Sequence, residues 1–156
     1  MSKNREDALG RGASSDREIM TTRFFYATKQ QLFKAFSDPI HLSRWWGPNG
    51  FTNTFHRFEM KPDGLWHFTM HGPDGKGYEN KSVFVEIEEP ERLVLRHLEP
   101  NHEFLLTITF NEKGDGTLLT WHMLFESADE CEKVGRFVAE ANEQNLDRLE
   151  GEVVNI

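Results

Sequence analysis

The sequence predicts an α+β protein in which a curved antiparallel sheet of about six to seven strands wraps around one long C-terminal helix. Three observations support this prediction. Short apolar segments recur between turn signals about every eight to twelve residues, as in an antiparallel meander. Two short helical segments follow the first strand, and a much longer helical pattern ends the chain. A length of 156 residues is suited to a single domain.

The first strand and the two short helices lie at the beginning of this domain. The apolar and threonine-rich segment Glu18–Tyr26 is typical of a strand. Thr28 and Gln31 have the spacing of a capping box, which predicts the start of a helix. Asp38 followed by Pro39 predicts the end of that helix and the start of a second, because proline is favoured in a first helical turn.

The middle of the chain contains a series of strands separated by turn signals. The sequences Pro62-Asp63-Gly64 and Lys113-Gly114-Asp115-Gly116 are typical of tight turns. The predicted strands are Thr52–Lys61, Leu65–His71, Lys76–Glu88, Arg92–Glu99, Glu103–Asn111 and Thr117–Glu126, with a further turn at Pro100-Asn101. Because short turns join consecutive strands, we expect each strand to pair with its neighbour.

The longest helix is predicted to begin after Ser127, which forms a second capping box with Glu130, and to end at about Glu150. Asn145 interrupts its apolar stripe, whose members are Val134, Phe137, Val138, Ala141 and Leu149. A long sheet with only one amphipathic helix to cover it has to curl around that helix. Because a curved sheet and a straight helix do not match along their whole length, we expect an apolar gap between them, which is a typical ligand site.

Charge and composition limit the classes of function. The 18 basic and 26 acidic residues give a net charge of -8, which disfavours a nucleic-acid partner. No apolar run is long enough to span a membrane. Residues 1–15 lack the apolar segment of a signal peptide and are expected to form a flexible tail ahead of one domain at 16–156. The single cysteine, Cys131, fits a reducing compartment and hence the cytoplasm.

Three segments of the chain resemble one known family. They are Phe33–Pro39 continued by Leu42–Pro48, which contains Trp45-Trp46-Gly47-Pro48, then Lys61–Phe68, and then Ile87–Leu93. Together they are similar to the activator of heat-shock protein 90 ATPase homologue family, within the START-like, birch-pollen-allergen-like (SRPBCC) superfamily. The resemblance covers roughly residues 17–150 and implies the helix-grip fold. The chain departs from the family pattern at Asp63, where a glycine is usual, and at Glu79–Val83, which lacks a customary glycine.

The resemblance also implies a class of function. Members of the superfamily bind lipids, hormones, polyketides or other apolar molecules between sheet and helix, which implies an apolar small-molecule ligand and no cofactor. A co-chaperone-like interaction module with a chaperone partner is the first alternative, although the full activator carries an additional N-terminal domain. A cavity-based enzyme of the cyclase or hydrolase type is the second. A homodimer is left open.

Large residues on the predicted inner faces are the candidates for contact with a ligand. Alternation along Leu65–His71 puts three large side chains on the inner face and His67 and His71 on the outer face. Trp45 and Trp46 point about 100° apart at the end of a helix, so one can pack in the core while the other faces the cavity. The thirteen Phe and four Trp against two Tyr favour such an apolar interior. The candidates are Trp45, Trp46, Trp66, Phe68, Met70, Phe84, His97, Phe104, Leu106, Trp121, Met123 and Val138, and packing in the core is the alternative for each.

Metal binding and catalysis have less support from the sequence. His67 and His71 on one strand face are about 13 Å apart, too far to share a metal at about 2 Å per bond, so no metal site is predicted. His97 and His122 lie in apolar strands, where they are candidates for acid–base groups in the cavity or for buried hydrogen-bonding residues. The helix dipole favours a lowered pKa for Cys131, but its place on the apolar stripe favours packing. No catalytic residue is assigned.

Overall fold

The computed structural model describes residues 15–98 and 103–156 and has the predicted α+β architecture. Seven strands form one antiparallel sheet in the order β1-β7-β6-β5-β4-β3-β2. In chain order the elements are a short 3-10 helix (Ser15–Arg17), β1 (Glu18–Phe25), α1 (Lys29–Ser37), α2 (Pro39–Trp45), β2 (Thr52–Phe58), β3 (Leu65–His71), β4 (Gly77–Glu88), β5 (Arg92–His97), β6 (Phe104–Lys113), β7 (Gly116–Phe125) and α3 (Ala128–Val153). The predicted tail, apart from Ser15, and the predicted turn at Pro100-Asn101 lie outside the described residues.

Side-chain caps fix where the two short helices begin. Thr28 Oγ1 accepts a hydrogen bond from the Gln31 N–H at 3.0 Å, and Gln31 Oε1 accepts one from the Thr28 N–H at 2.8 Å. Asp38 Oδ1 accepts from the Ile40 N–H at 2.9 Å and so caps α2, with Pro39 in its first turn. These bonds satisfy backbone donors that the helices themselves leave without partners, which confirms both predicted helix starts.

The sheet is strongly curved and places the first strand beside the last. Glu18 of β1 lies opposite Leu124 of β7. The pairing register shifts within β2 after Phe55 and within β4 after Phe84. Such irregularities bend a strand and increase its twist, so that the sheet presents one concave face.

Helix α3 lies in this concavity. It begins where Ser127 Oγ accepts a hydrogen bond from the Glu130 N–H at 3.1 Å. It continues past the predicted end near Glu150 because Leu149 and Val153, both buried, extend the contact of its apolar stripe with the core. Within residues 15–98 and 103–156, every helix is too short or too polar to cross a membrane.

Aromatic side chains fill the end of the fold that lies beneath α1 and α2. The Phe36 ring lies 4.8 Å from the Trp45 ring and 5.5 Å from the Phe110 ring, measured between centroids, and all three side chains are buried. T-shaped contacts of this kind are favourable beyond the apolar area that they bury. The opposite part of the concave face is covered by α3 and by the residues that connect α2 to β2.

Candidate functional site

A cavity of about 550 Å³ lies between α3 and the concave face of the sheet. Its walls are formed by strands β3 to β7, by α3, and by the residues that connect α2 to β2. Most of the surrounding side chains are aliphatic or aromatic. The volume falls within the range of roughly 300–1,000 Å³ that is usual for small-molecule pockets.

Nine of the twelve predicted ligand contacts lie on the walls of this cavity. They are Trp46, Phe68, Met70, His97, Phe104, Leu106, Trp121, Met123 and Val138. The remaining three, Trp45, Trp66 and Phe84, are buried in the packed core next to it. Trp45 Nε1 donates to the Ala35 carbonyl oxygen at 2.9 Å, and the Trp66 ring stacks against Phe68 with centroids 4.4 Å apart. These contacts support the cavity wall from behind.

Helix α3 contributes four apolar residues to the wall, one of which is also open to solvent. Val134, Phe137, Val138 and Ala141 follow the helical spacing identified in the sequence. The side chain of Phe137 is 70% exposed although it lines the cavity. A large ring that is both exposed and part of the wall marks the rim of the cavity, where a molecule could enter.

The α2–β2 loop, residues 46–51, forms another part of the wall. The Trp46 ring stacks on Trp121 with centroids 5.4 Å apart and an angle of 30° between the planes. Gly47 has a φ of 104°, and a Cβ at this position would lie 2.8 Å from Met70 Cε. The backbone conformation therefore favours glycine here, and a larger residue would also displace the end of the flexible Met70 side chain.

Arg148 of α3 anchors this loop. Its guanidinium donates to five backbone carbonyl oxygens at 2.9–3.3 Å, those of Arg44, Trp46, Gly47, Pro48 and Phe51. The Asn145 side chain accepts from the Gly47 N–H at 3.1 Å, and Gln144 accepts from the Asn49 N–H at 3.0 Å. Three residues within about one turn of α3 thus hold the loop against the cavity.

The charge of Arg148 is balanced in an unusual way. Within the described parts of the chain no carboxylate pairs with its guanidinium. Burial lowers the pKa of Arg148 below its ordinary value, but an arginine side chain stays protonated at physiological pH. The positive charge is therefore stabilised by the carbonyl dipoles of the loop, and the loop conformation depends on that charge.

Polar side chains that were not predicted as site residues also line the cavity. Asn80 and Ser82 of β4 are buried in the wall, beside His97 of β5. Asn142 and Asn145 of α3 complete the polar groups around it. Asn80 and Ser82 share the alternation of Phe84, which was predicted to face inward, so the same two-residue period could have found them.

The two histidines considered as acid–base groups lie on opposite faces of the sheet. His97 lines the cavity, and its Nε2 is 2.8 Å from Asn80 Oδ1. The expectation that His122 belongs to the same cavity is wrong: it alternates with the inward-facing Trp121 and Met123, and its Nε2 is hydrogen-bonded to Glu18 Oε1 on the outer face. Among the described residues the cavity wall has no carboxylate or thiol that could act with His97.

Cys131, His67 and His71 lie outside the described wall of the cavity. Burial raises the pKa of the Cys131 thiol, contrary to the lowering expected from the helix dipole, because the side chain is buried against the core. His67 Nε2 lies 3.0 Å from Glu79, whereas His71 Nε2 lies 2.8 Å from Thr54. Over the residues that the structure describes, no cluster of three or more His, Cys, Asp or Glu side chains is arranged to hold a metal ion.

Comparison with solved structures shows the same fold in proteins of several bacteria. A protein of Nitrosomonas europaea is 16% identical and superimposes with a TM-score of 0.84, covering 93% of this chain and 99% of its own. An Arthrobacter aurescens protein is 20% identical with a TM-score of 0.84, covering 94% and 91% of the two chains. A Rhodobacter sphaeroides protein is 25% identical with a TM-score of 0.82, covering 93% and 97%. The chain therefore shares the fold of these proteins.

The match to a family model classifies the chain more specifically than its fold does. No curated protein sequence matches the chain. The family model described as "Activator of Hsp90 ATPase homolog 1-like protein" matches residues 26–153, which include both short helices, strands β2 to β7 and α3. The matched region contains the double tryptophan of the α2–β2 junction and the whole of the cavity wall. This chain belongs to the family of Activator of Hsp90 ATPase homolog 1-like proteins.

Proposed function

We propose that the protein binds a hydrophobic or aromatic small molecule in the cavity between the sheet and α3. The observation that carries this proposal is a cavity of about 550 Å³ with a largely aromatic and aliphatic wall. An apolar surface of this kind favours a ligand that leaves water, because removing apolar area from water contributes about 25 cal/mol per Å². The nine predicted wall residues are proposed to contact the ligand, and Trp45, Trp66 and Phe84 to support them.

Fluorescence of N-phenyl-1-naphthylamine, a neutral apolar probe, tests the proposal. The expected result is saturable binding with one probe per chain. Ala141→Phe is expected to abolish this binding, because Ala141 lines the cavity and a larger ring would occupy it. Ala139→Phe is the matched control, since Ala139 lies on the same helix but is exposed. Absence of binding to the unmodified protein, or equal binding by both variants, would overturn the proposal.

Interaction with a chaperone is the alternative function, and the family description favours it. Pull-down with the cognate chaperone of the Hsp90 class, together with its ATPase rate, distinguishes this alternative from ligand binding. A stimulated ATPase with no probe binding would support the interaction module. Unchanged ATPase with saturable probe binding would support the cavity ligand.

The remaining features of the proposed function follow from the sequence. We propose that the protein acts in the cytoplasm, and the solitary cysteine is the feature that supports this. A homodimer stays a prediction, which sedimentation of the purified protein would test. The catalytic alternative depends on His97 and requires turnover of the ligand, which analysis of the bound molecule after incubation would detect.

A further inference from the structure

A group of three polar side chains interrupts the apolar wall where β4 and β5 pair. This polar patch consists of Asn80, Ser82 and His97, all of which line the cavity. Ser82 lies directly opposite His97 in the β4–β5 ladder. Asn80 is two residues away on the same strand, and its amide reaches His97. Three neighbouring polar groups facing an apolar cavity are a candidate for recognition of a polar atom on the ligand.

The hydrogen bonds within the polar patch fix the orientation of two of its members. Asn80 Nδ2 donates to the Tyr78 carbonyl oxygen at 3.0 Å, and since a carbonyl oxygen only accepts, this contact identifies the nitrogen of the amide. Asn80 Oδ1 is therefore the atom that lies 2.8 Å from His97 Nε2. Because Oδ1 can only accept, His97 Nε2 carries a proton and donates it. Asn80 and His97 thus form a preorganised pair.

Ser82 differs from the other two members of the polar patch. Its side chain is only 2% exposed, and among the described residues none accepts from or donates to its Oγ. A hydroxyl group that lines a cavity and has no partner within the protein is available to a ligand. The hydroxyl group of Ser82 can both donate and accept, so it can donate to a carbonyl oxygen of a ligand and can donate to or accept from a ligand hydroxyl group.

The charges around the cavity favour a neutral ligand. The described residues of the wall include no Asp, Glu, Lys or Arg, and their titratable side chains are His97 and Tyr78. A carboxylate or phosphate in the cavity would be buried without an opposite charge, which is strongly unfavourable. A hydroxyl or carbonyl oxygen carries no such cost once it is hydrogen-bonded.

Flat rings lie on both sides of the polar patch. Phe68 of β3 is the direct neighbour of Asn80 across the sheet. On the other side the Phe104 ring stacks on the His97 ring, with centroids 4.8 Å apart and an angle of 8° between the planes. Aromatic walls of this kind pack well against the face or edge of a planar ring.

From these observations we infer that the ligand is a neutral aromatic molecule that carries a hydroxyl or carbonyl oxygen, and that this oxygen hydrogen-bonds to Ser82 Oγ in the polar patch. The inference rests on the proposed function, since it requires that the cavity binds a ligand. It specifies that the ligand is neutral and carries a polar oxygen atom, and it assigns recognition of that atom to Ser82.

Three probes of equal ring size test the inference: naphthalene, 2-naphthol and 2-naphthoate, measured at neutral pH by calorimetry or by quenching of tryptophan fluorescence. The expected result is that 2-naphthol binds about tenfold more tightly than naphthalene, the gain of one satisfied hydrogen bond. 2-Naphthoate is expected to bind more weakly than 2-naphthol. Ser82→Ala is expected to bring 2-naphthol down to the affinity of naphthalene while leaving naphthalene unchanged.

Ser43→Ala is the control variant, because Ser43 donates to the Ile40 carbonyl oxygen on α2 and does not line the cavity. It is expected to bind all three probes like the unmodified protein, and circular dichroism of both variants verifies that they fold. Equal binding of naphthalene and 2-naphthol, no effect of Ser82→Ala, or tightest binding of 2-naphthoate would overturn the inference and leave the proposed function standing. Failure of every probe to bind would overturn both.

Discussion

Replacement of Arg148 by methionine is expected to loosen the α2–β2 loop and to destabilise the protein. Methionine keeps much of the length of the side chain but removes every donor to the five backbone carbonyl oxygens. Four of these oxygens, all except that of Arg44, belong to partly buried contacts. The loop forms part of the cavity wall, so we also expect weaker binding of N-phenyl-1-naphthylamine.

The size of the effect follows from the hydrogen bonds that are lost. Four partly buried bonds at about 1 kcal/mol each amount to about 4 kcal/mol. Part of this loss is offset, because the guanidinium no longer has to be taken out of water in the folded protein. We therefore expect the free energy of unfolding to fall by roughly 2–3 kcal/mol. Arg148→Lys is expected to lose less, since an ammonium group keeps the charge and up to three donors.

Urea unfolding followed by tryptophan fluorescence measures this change, with the slope against urea concentration expected to stay constant. Arg136→Met is the matched control, because Arg136 is exposed on the same helix and its loss changes the net charge by the same amount. Its free energy of unfolding is expected to stay within about 0.5 kcal/mol of the unmodified protein. A similarly small change for Arg148→Met would refute the anchoring role.

The remaining predictions concern glycines, the rim and the thiol. Gly47→Ala is expected to lower the free energy of unfolding by about 1–3 kcal/mol, because the positive φ of 104° is unfavourable for alanine; an unchanged urea midpoint would contradict this. Gly135→Ala is expected to raise the free energy of unfolding by about 0.5–1 kcal/mol, since the new Cβ meets no atom within 4 Å. A loss of stability would contradict this prediction. Phe137→Ala is expected to weaken probe binding several-fold at a stability cost below about 1 kcal/mol; full retention of affinity would remove this ring from the site. Because burial raises its pKa, Cys131 is expected to react with a disulfide reagent at pH 8 far more slowly in the folded than in the urea-unfolded protein, and equal rates would argue against burial.

Local signals explain why the fold could be predicted from the sequence. The caps at Thr28, Asp38 and Ser127 involve residues two or three positions apart, and each of these side chains accepts the expected backbone hydrogen bond. Strand β3 has the predicted bounds. The other strand ends differ by a few residues, because pairing with a neighbouring strand, rather than local sequence, decides where a strand stops.

The candidate site was harder to predict, because the two-residue period identifies a face but not a position along it. Trp66 and Phe68 share the inner face of β3, yet only Phe68 lines the cavity. What separates them is the path of α3 over the sheet, which no local pattern reports. The error on His122 is different, since its alternation with Trp121 already indicated the outer face.

Arg148 could not have been predicted as an anchor of the loop. Its partners lie about one hundred positions earlier in the chain, and they are backbone carbonyl oxygens, which leave no mark on the amino-acid sequence. The amphipathic pattern of α3 assigns an arginine to the solvated side of a helix. Only the folded arrangement of α3 and the loop reveals its role.

The pairing of β1 with β7 has a consequence for the rate of folding. Residue Glu18 must find Leu124 across most of the chain, and such distant pairings slow folding because the entropy of a large loop is lost before the contact is made. The meander from β2 to β7 requires only neighbouring hairpins and can assemble earlier. Because the described wall of the cavity contains no residue of β1, we expect the strands that line the cavity to pair before the first strand docks against the last, and this late docking to limit the rate at which the sheet is completed.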